Sequence, residues 1–200
     1  MMSSNRKARS EKWLFKIKSH ANQLLRYGVD PFGATPLLCN AVHAKDGKPV
    51  PIDLDHVKRG AFLSNTASQQ SAVRLFAKLS ERFETPLYTD AVNRIFRYLF
   101  RHQTDESGLI YWGGHSAYDL EHGEVCFAED KSKVHELKFH YPAYELMWES
   151  DNDSARAYIE AFWNAHLIDW SILDFNRHGP YNTPIGKVWE SEYAGGPVFF

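Results

Sequence analysis

The chain has only two cysteines, Cys39 and Cys126, in 200 residues. Two cannot make a disulfide framework, so the fold must rest on a packed core. A reducing compartment is the default reading, with a single disulfide as the alternative. No run of about eighteen apolar residues occurs, so no helix is expected to span a membrane. The start carries no apolar stretch of the kind that directs secretion, and the expected location is the cytoplasm, with export by another route left open. Charge of one sign is also missing. The formal net charge is −2, and there is no long basic stripe, which argues against a dedicated nucleic-acid binder. The basic cluster Arg6-Lys7-Ala8-Arg9, with Lys12, Lys16 and Lys18, reads as a solvated helix face. No tight internal repeat is present, and no strand-rich stretch competes with the helical segments.

What is present is aromatic. Phe, Trp and Tyr make up 14% of the chain, against 44% apolar and 24% charged residues overall. Such rings fill cores, and they also line sugar grooves. The length suits one domain with a sizeable core.

Helical periodicity recurs along the chain. Ser10 can cap a first helix over 10–27, in which Trp13, Leu14, Ile17, Ala21, Leu24 and Leu25 repeat at three and four. Residues 1–9 are expected to be a flexible leader to it. Gly28 and Pro31 stop that helix, and 29–62 reads as a long irregular connection. A second helix runs from Ser64 or Asn65 to Phe83. A third starts near Thr85-Pro86 or Thr89 and carries Val92, Ile95, Phe96, Leu99 and Phe100. Leu109-Ile110-Tyr111-Trp112 is too short for a helix and reads as extended. Residues 117–133 are weakly patterned and read as loop. A fourth helix is expected from Pro142 to Trp148 and a fifth from Asp153 to Trp170. Residues 174–186 read as loop. The class expected is mainly α: helical hairpins, joined by long functional loops, as in part of a toroid. The chain closes on the apolar run Gly196-Pro197-Val198-Phe199-Phe200, which suggests that residues 1–200 are one incomplete domain of something longer.

The polar residues that carry chemistry gather between 111 and 178. His135-Glu136-Leu137-Lys138-Phe139-His140 resembles the H-E-x-x-H zinc motif, but its two histidines are five apart. On a helix that is about 140° of rotation, so they cannot share a face. A better set is His115, Glu136 and His178. Two imidazoles and a carboxylate suit a divalent first-row metal and leave positions open for substrate or water. Each member has a plainer reading. The histidines can be hydrogen-bonded structural residues, Glu136 a helix-start carboxylate near the macrodipole, and Arg177 half of an ion pair with Asp174 or Glu145. His122, His140 and His166 are read as structural.

Four stretches carry a resemblance: Tyr111-Trp112-Gly113-Gly114-His115, residues 135–149 (HELKFHYPAYELMWE), residues 159–170 (IEAFWNAHLIDW), and Asp174-Phe175-Asn176-Arg177-His178-Gly179. Through them the chain resembles polysaccharide lyase family 2, the pectate (polygalacturonate) lyases built on an (α/α) barrel. The likeness covers about 20–200 and is firmest after 105. It implies that His115, Glu136 and His178 hold a metal, and that Arg177, directly before the second histidine, is the catalytic base. It implies a divalent ion, manganese first and other divalent transition metals after it. The substrate implied is an acidic polysaccharide, (1→4)-α-D-galacturonan or its oligomers, cleaved by β-elimination to 4,5-unsaturated products. Trp112, Lys138 and Tyr181 are the residues expected to touch substrate, each with a plainer reading as a core or surface residue. Family members are longer than this chain, so a module that binds acidic sugar or metal without turnover is the runner-up. A facial-triad iron oxygenase would use the same ligand types, but it usually comes with a β-barrel, which nothing here suggests.

Overall fold

The computed structural model describes residues 4–54, 57–128, 134–136, 141–169 and 171–184. Among these residues five helices carry the core: α1 (Ser4–Tyr27), α2 (Gln70–Phe83), α3 (Leu87–His102), α4 (Tyr144–Ser150) and α5 (Asn152–His166). A short 3-10 turn, Thr66–Gln69, leads into α2.

The buried positions explain why these segments are helical. In α2 they are Val73, Phe76 and Leu79, and in α3 Tyr88, Val92, Ile95, Phe96, Leu99 and Phe100. Spacings of three and four put each set on one stripe, and the two stripes share one core with Met147 of α4 and Tyr158 and Phe162 of α5. Burying one such aromatic contributes about 1.5–3 kcal/mol. The helix ends are also set by sequence. Glu84 takes a left-handed conformation and returns its N–H to the Ser80 carbonyl, closing α2. The Asp151 side chain accepts from the Ser154 N–H and starts α5. The cap lies two residues before Asp153, where the helix was expected to start.

α1 departs from its expected stripe. It begins at Ser4 rather than Ser10. Ala21 is fully buried and Leu14, Leu24 and Leu25 are partly covered, but Trp13 and Ile17 are exposed.

The expectation of a mainly α toroid is wrong. The architecture is mixed α and β, with four small antiparallel sheets among the described residues. β1 (Ile52–Leu54) pairs with β2 (Lys58–Ala61), inside the stretch read as irregular. β3 (Leu63–Ser64), β4 (Ser116–Asp119) and β5 (Glu124–Phe127) form one sheet; β3 lies where the second helix was expected to start, and β4 from 117 on and all of β5 lie in the stretch 117–133 read as loop. β6 (Val134–Glu136) pairs with β9 (His178–Pro180). β7 (Leu167–Asp169) pairs with β8 (Asp174–Phe175), so α5 stops at His166, short of the expected Trp170. The physical reason is length. These strands hold two to four residues, too few for an alternating pattern to register. Several are also buried on both sides: all four residues of β4 are covered.

Cys39 and Cys126 are both free thiols. Burial, with Asp30 nearby, pushes the Cys39 thiol up to about 12, so it behaves as a small apolar residue. No helix among the described residues is long and apolar enough to cross a membrane.

Candidate functional site

The β6–β9 pair decides which side chains meet. Its register sets His135 opposite Gly179 and Glu136 opposite His178. Successive strand residues point to opposite faces. His135 therefore turns inward, fully buried, while Glu136 turns toward His178. Glu136 was expected at a helix start; it lies in a strand, and the helix macrodipole has no part in its role.

The third member arrives from the other sheet. His115 precedes β4, and its carbonyl accepts from the Ala128 N–H at 2.9 Å, which extends the β4–β5 ladder by one step. Two features bring this segment against β6. Gly113 has φ +114, and a Cβ there would lie 2.9 Å from the Glu136 carbonyl oxygen and 3.0 Å from the Glu136 Cβ. Only glycine allows that approach. Buried Asn65 brackets the turn: its Nδ2 donates to the Gly113 carbonyl and, at 3.0 Å, to the Ser116 carbonyl. Asn65 was read only as a helix start. A buried Asn before a helix is common, and nothing in sequence ties it to a loop some fifty residues on.

The result is one cluster. His115 Nε2 and His178 Nε2 stand 3.3 Å apart. Glu136 Oε1 is 3.8 Å from His178 Nε2. One ligand atom from each of the three lies within 4.8 Å of the other two. Two ligand atoms each about 2.1 Å from one ion are separated by roughly 3.0–3.4 Å, so the set is close to the spacing of a shared cation. Two imidazole lone pairs at 3.3 Å repel unless a proton or a cation stands between them. The donor set therefore fits a divalent metal.

Arg177 is on the rim. Its side chain is 65% exposed, and its Nη2 lies 3.8 Å from Glu136 Oε1. The partner expected for a plain ion pair, Asp174 or Glu145, is replaced by the carboxylate of the cluster itself. Lys138 lies outside the described residues. Trp112 does not face solvent. It is 3% exposed, and its Nε1–H donates to His135 Nε2 at 2.8 Å. Its ring meets Tyr158 edge-on at 5.4 Å, so it has no face left for a sugar. Tyr181 is half-buried, tilted against Tyr111 at 4.7 Å, with Phe127 edge-on at 6.0 Å. Burial, with Asp105 and Tyr111 adding, holds its hydroxyl proton far above the usual range.

Beneath the cluster lie two histidines in the core. Burial, with His166 adjacent, pushes His135 well below the usual imidazole range. Burial likewise lowers His166, opposed by its bond to Asn176. The structural reading of His166 and His122 agrees with their contacts: His166 is fully buried, and His122 pairs with Asp119. His140 lies outside the described residues.

Comparison with known proteins adds two findings. The profile of a family described as periplasmic pectate lyase matches residues 35–200. A curated pectate disaccharide-lyase of Dickeya dadantii (strain 3937) is 38% identical over 181 residues, which cover 90% of this chain and 33% of that protein. The chain thus spans about a third of the length of that relative. The periplasmic description of the family overturns the cytoplasmic location expected above.

Proposed function

The chain belongs to the periplasmic pectate lyase family, and from that premise we propose that it is a metal-dependent lyase acting on galacturonan by β-elimination. The observation that carries the reading is the convergence of His115, Glu136 and His178 from three separate segments, with Arg177 on the same rim. His115, Glu136 and His178 would hold the ion, manganese first, through two imidazole nitrogens and one carboxylate oxygen. A divalent cation held there would withdraw charge from the uronate carboxylate and so acidify the C5 proton beside it.

The chain's own part is proton abstraction. Arg177 takes the C5 proton. The electron pair of that C–H bond becomes the 4,5 double bond, and the C4–O bond breaks with its pair leaving on the glycosidic oxygen, which takes up a proton from solvent while Arg177 returns its own. No water is consumed. Only the neutral guanidine can take the C5 proton, and in water it is scarce, because the pKa of the guanidinium exceeds about 12. An ion held there would compete with Arg177 for one carboxylate, Glu136, and would so loosen the arginine's existing pair. The rate should therefore rise toward alkaline pH.

The test is incubation with polygalacturonate and manganese, following the ultraviolet absorbance of the unsaturated product. Growth that EDTA abolishes supports the lyase. Flat absorbance with retained metal and sugar binding favours the second reading, a non-catalytic module. The limited share of the relative that this chain covers is the observation behind that alternative.

A further inference from the structure

Trp112, His135 and His166 form a buried line of polar atoms, ending on the exposed residue Asn176, that the proposed chemistry leaves unused. Trp112 Nε1 is 2.8 Å from His135 Nε2, and His135 Nδ1 is 2.7 Å from His166 Nε2. His166 Nδ1 is 2.6 Å from the Asn176 carbonyl oxygen. The two ends fix every role between them. An indole N–H only donates, and a carbonyl oxygen only accepts. His135 Nε2 must then carry a lone pair, which puts the proton on Nδ1. That proton goes to His166 Nε2, so the proton of His166 also sits on Nδ1 and goes to Asn176. The reverse direction would set the His135 Nε2–H against the Trp112 N–H, two donors face to face.

The line ends where the site begins. Asn176 N–H donates to the His166 carbonyl at 2.9 Å, and Asn176 Oδ1 accepts from the His178 N–H at 3.0 Å. The next residue, Gly179, lies on the His166 ring: a Cβ there would be 2.9 Å from both Cδ2 and Nε2. The short span that carries Arg177 and His178 is thus held on both sides by one imidazole.

We propose that His166, oriented by His135 and Trp112, is a positioning residue that fixes the backbone bearing Arg177 and His178, so that ion affinity depends on a ring more than one residue removed from the ion. This rests on the reading of His178 as a ligand. A second-layer group of this kind typically changes metal affinity ten- to hundredfold.

The first test needs no variant. In metal-free protein with nitrogen-15 histidine, at mildly alkaline pH, His135 and His166 should both be neutral and carry the proton on Nδ1. Either ring with its proton on Nε2 overturns the direction of the line. The second test is calorimetric titration with manganese, together with hydrogen exchange of the His178 amide. His166→Phe keeps a ring and loses both bonds. It should bind manganese about ten- to hundredfold more weakly and exchange the His178 amide faster. His166→Asn, whose amide N–H can stand where Nδ1 stands, should recover most of both. Wild-type affinity in folded His166→Phe overturns the proposal, as does an Asn variant no better than Phe. Should His166→Phe not fold, Trp112→Phe decides. It removes only the first donor and should weaken binding several-fold, and unchanged affinity counts against the proposal. If the wild type binds no manganese, the ligand reading fails, while the tautomers and the amide exchange still score the positioning claim.

Discussion

Gly113→Ala should damage stability and ion binding together, because Gly113 is the point at which the His115 segment touches the Glu136 strand. Two costs combine. With φ +114, an alanine is held in backbone conformations that non-glycine residues rarely adopt, which costs about 1–3 kcal/mol. The new methyl would also sit 2.9 Å from the Glu136 carbonyl oxygen, 3.0 Å from its Cβ and 3.2 Å from its backbone nitrogen. None of these is the free end of a side chain, so β6 or the 113–115 turn must shift. Overpacking of that kind costs about 1–3 kcal/mol. The sum is about 2–6 kcal/mol, and at about 2–4 °C per kcal/mol for a chain of this size the melting temperature falls by roughly 4–24 °C. The control is Gly60→Ala. Gly60 has φ +61 but open space around its Cβ position, so it bears the backbone cost alone, about 1 kcal/mol. Both variants would be melted in EDTA and then titrated with manganese. Gly113→Ala should lose more stability than the control and bind manganese at least tenfold more weakly. Equal melting temperatures for the two variants, with unchanged affinity, would refute the reasoning.

Three further outcomes are expected. Phe96→Ala should cost about 3–5 kcal/mol in urea unfolding, because Phe96 is fully buried among the packed helices; a loss under about 1 kcal/mol would mean that the core was misidentified. Asp119 is fully buried, a location that opposes its charge, yet its bonds to Lys58 and to the His122 N–H outweigh burial and hold its pKa below the usual carboxylate value. A carboxylate with a depressed folded pKa adds stability above its unfolded value of about 3.9 and loses it as pH falls through the lower folded value. Unfolding curves from near-neutral to strongly acid pH should therefore show an acid loss that is smaller in Asp119→Asn; an identical acid profile in that variant would contradict the assignment. Arg177→Ala should end turnover on polygalacturonate while leaving manganese affinity equal or up to a few-fold tighter, since an exposed pair is worth only about 0.2–1 kcal/mol to its carboxylate; loss of the metal in that variant would place Arg177 among the groups holding the ion.

How much of this was legible in sequence differs by element. The stripes of α2 and α3 repeat over four turns and could be read directly from Val73, Phe76 and Leu79 or from Val92, Ile95, Phe96 and Leu99. The small sheets could not, because a strand such as Val134–Glu136 has no room for a period. That is why Glu136 was read at a helix start. The candidate quartet was reached through family likeness rather than spacing, since the contact between Glu136 and His178 exists only once β6 pairs with β9. Trp112 was read as a sugar platform because an indole suits both a wet rim and a core. Its single N–H finds a buried histidine, and that partner lies in a different segment. Asn65 was missed for the same reason: its partners are backbone carbonyls far along the chain, invisible to any local pattern.

The central claim is that His115, Glu136 and His178 hold one ion. Calorimetric titration of the metal-free chain with manganese tests it most directly, with His115→Ala, Glu136→Gln and His178→Ala alongside. One ion per wild-type chain, and binding at least tenfold weaker in each variant, is the predicted result. Wild-type affinity in any one folded variant, or no binding by the wild type, would contradict it.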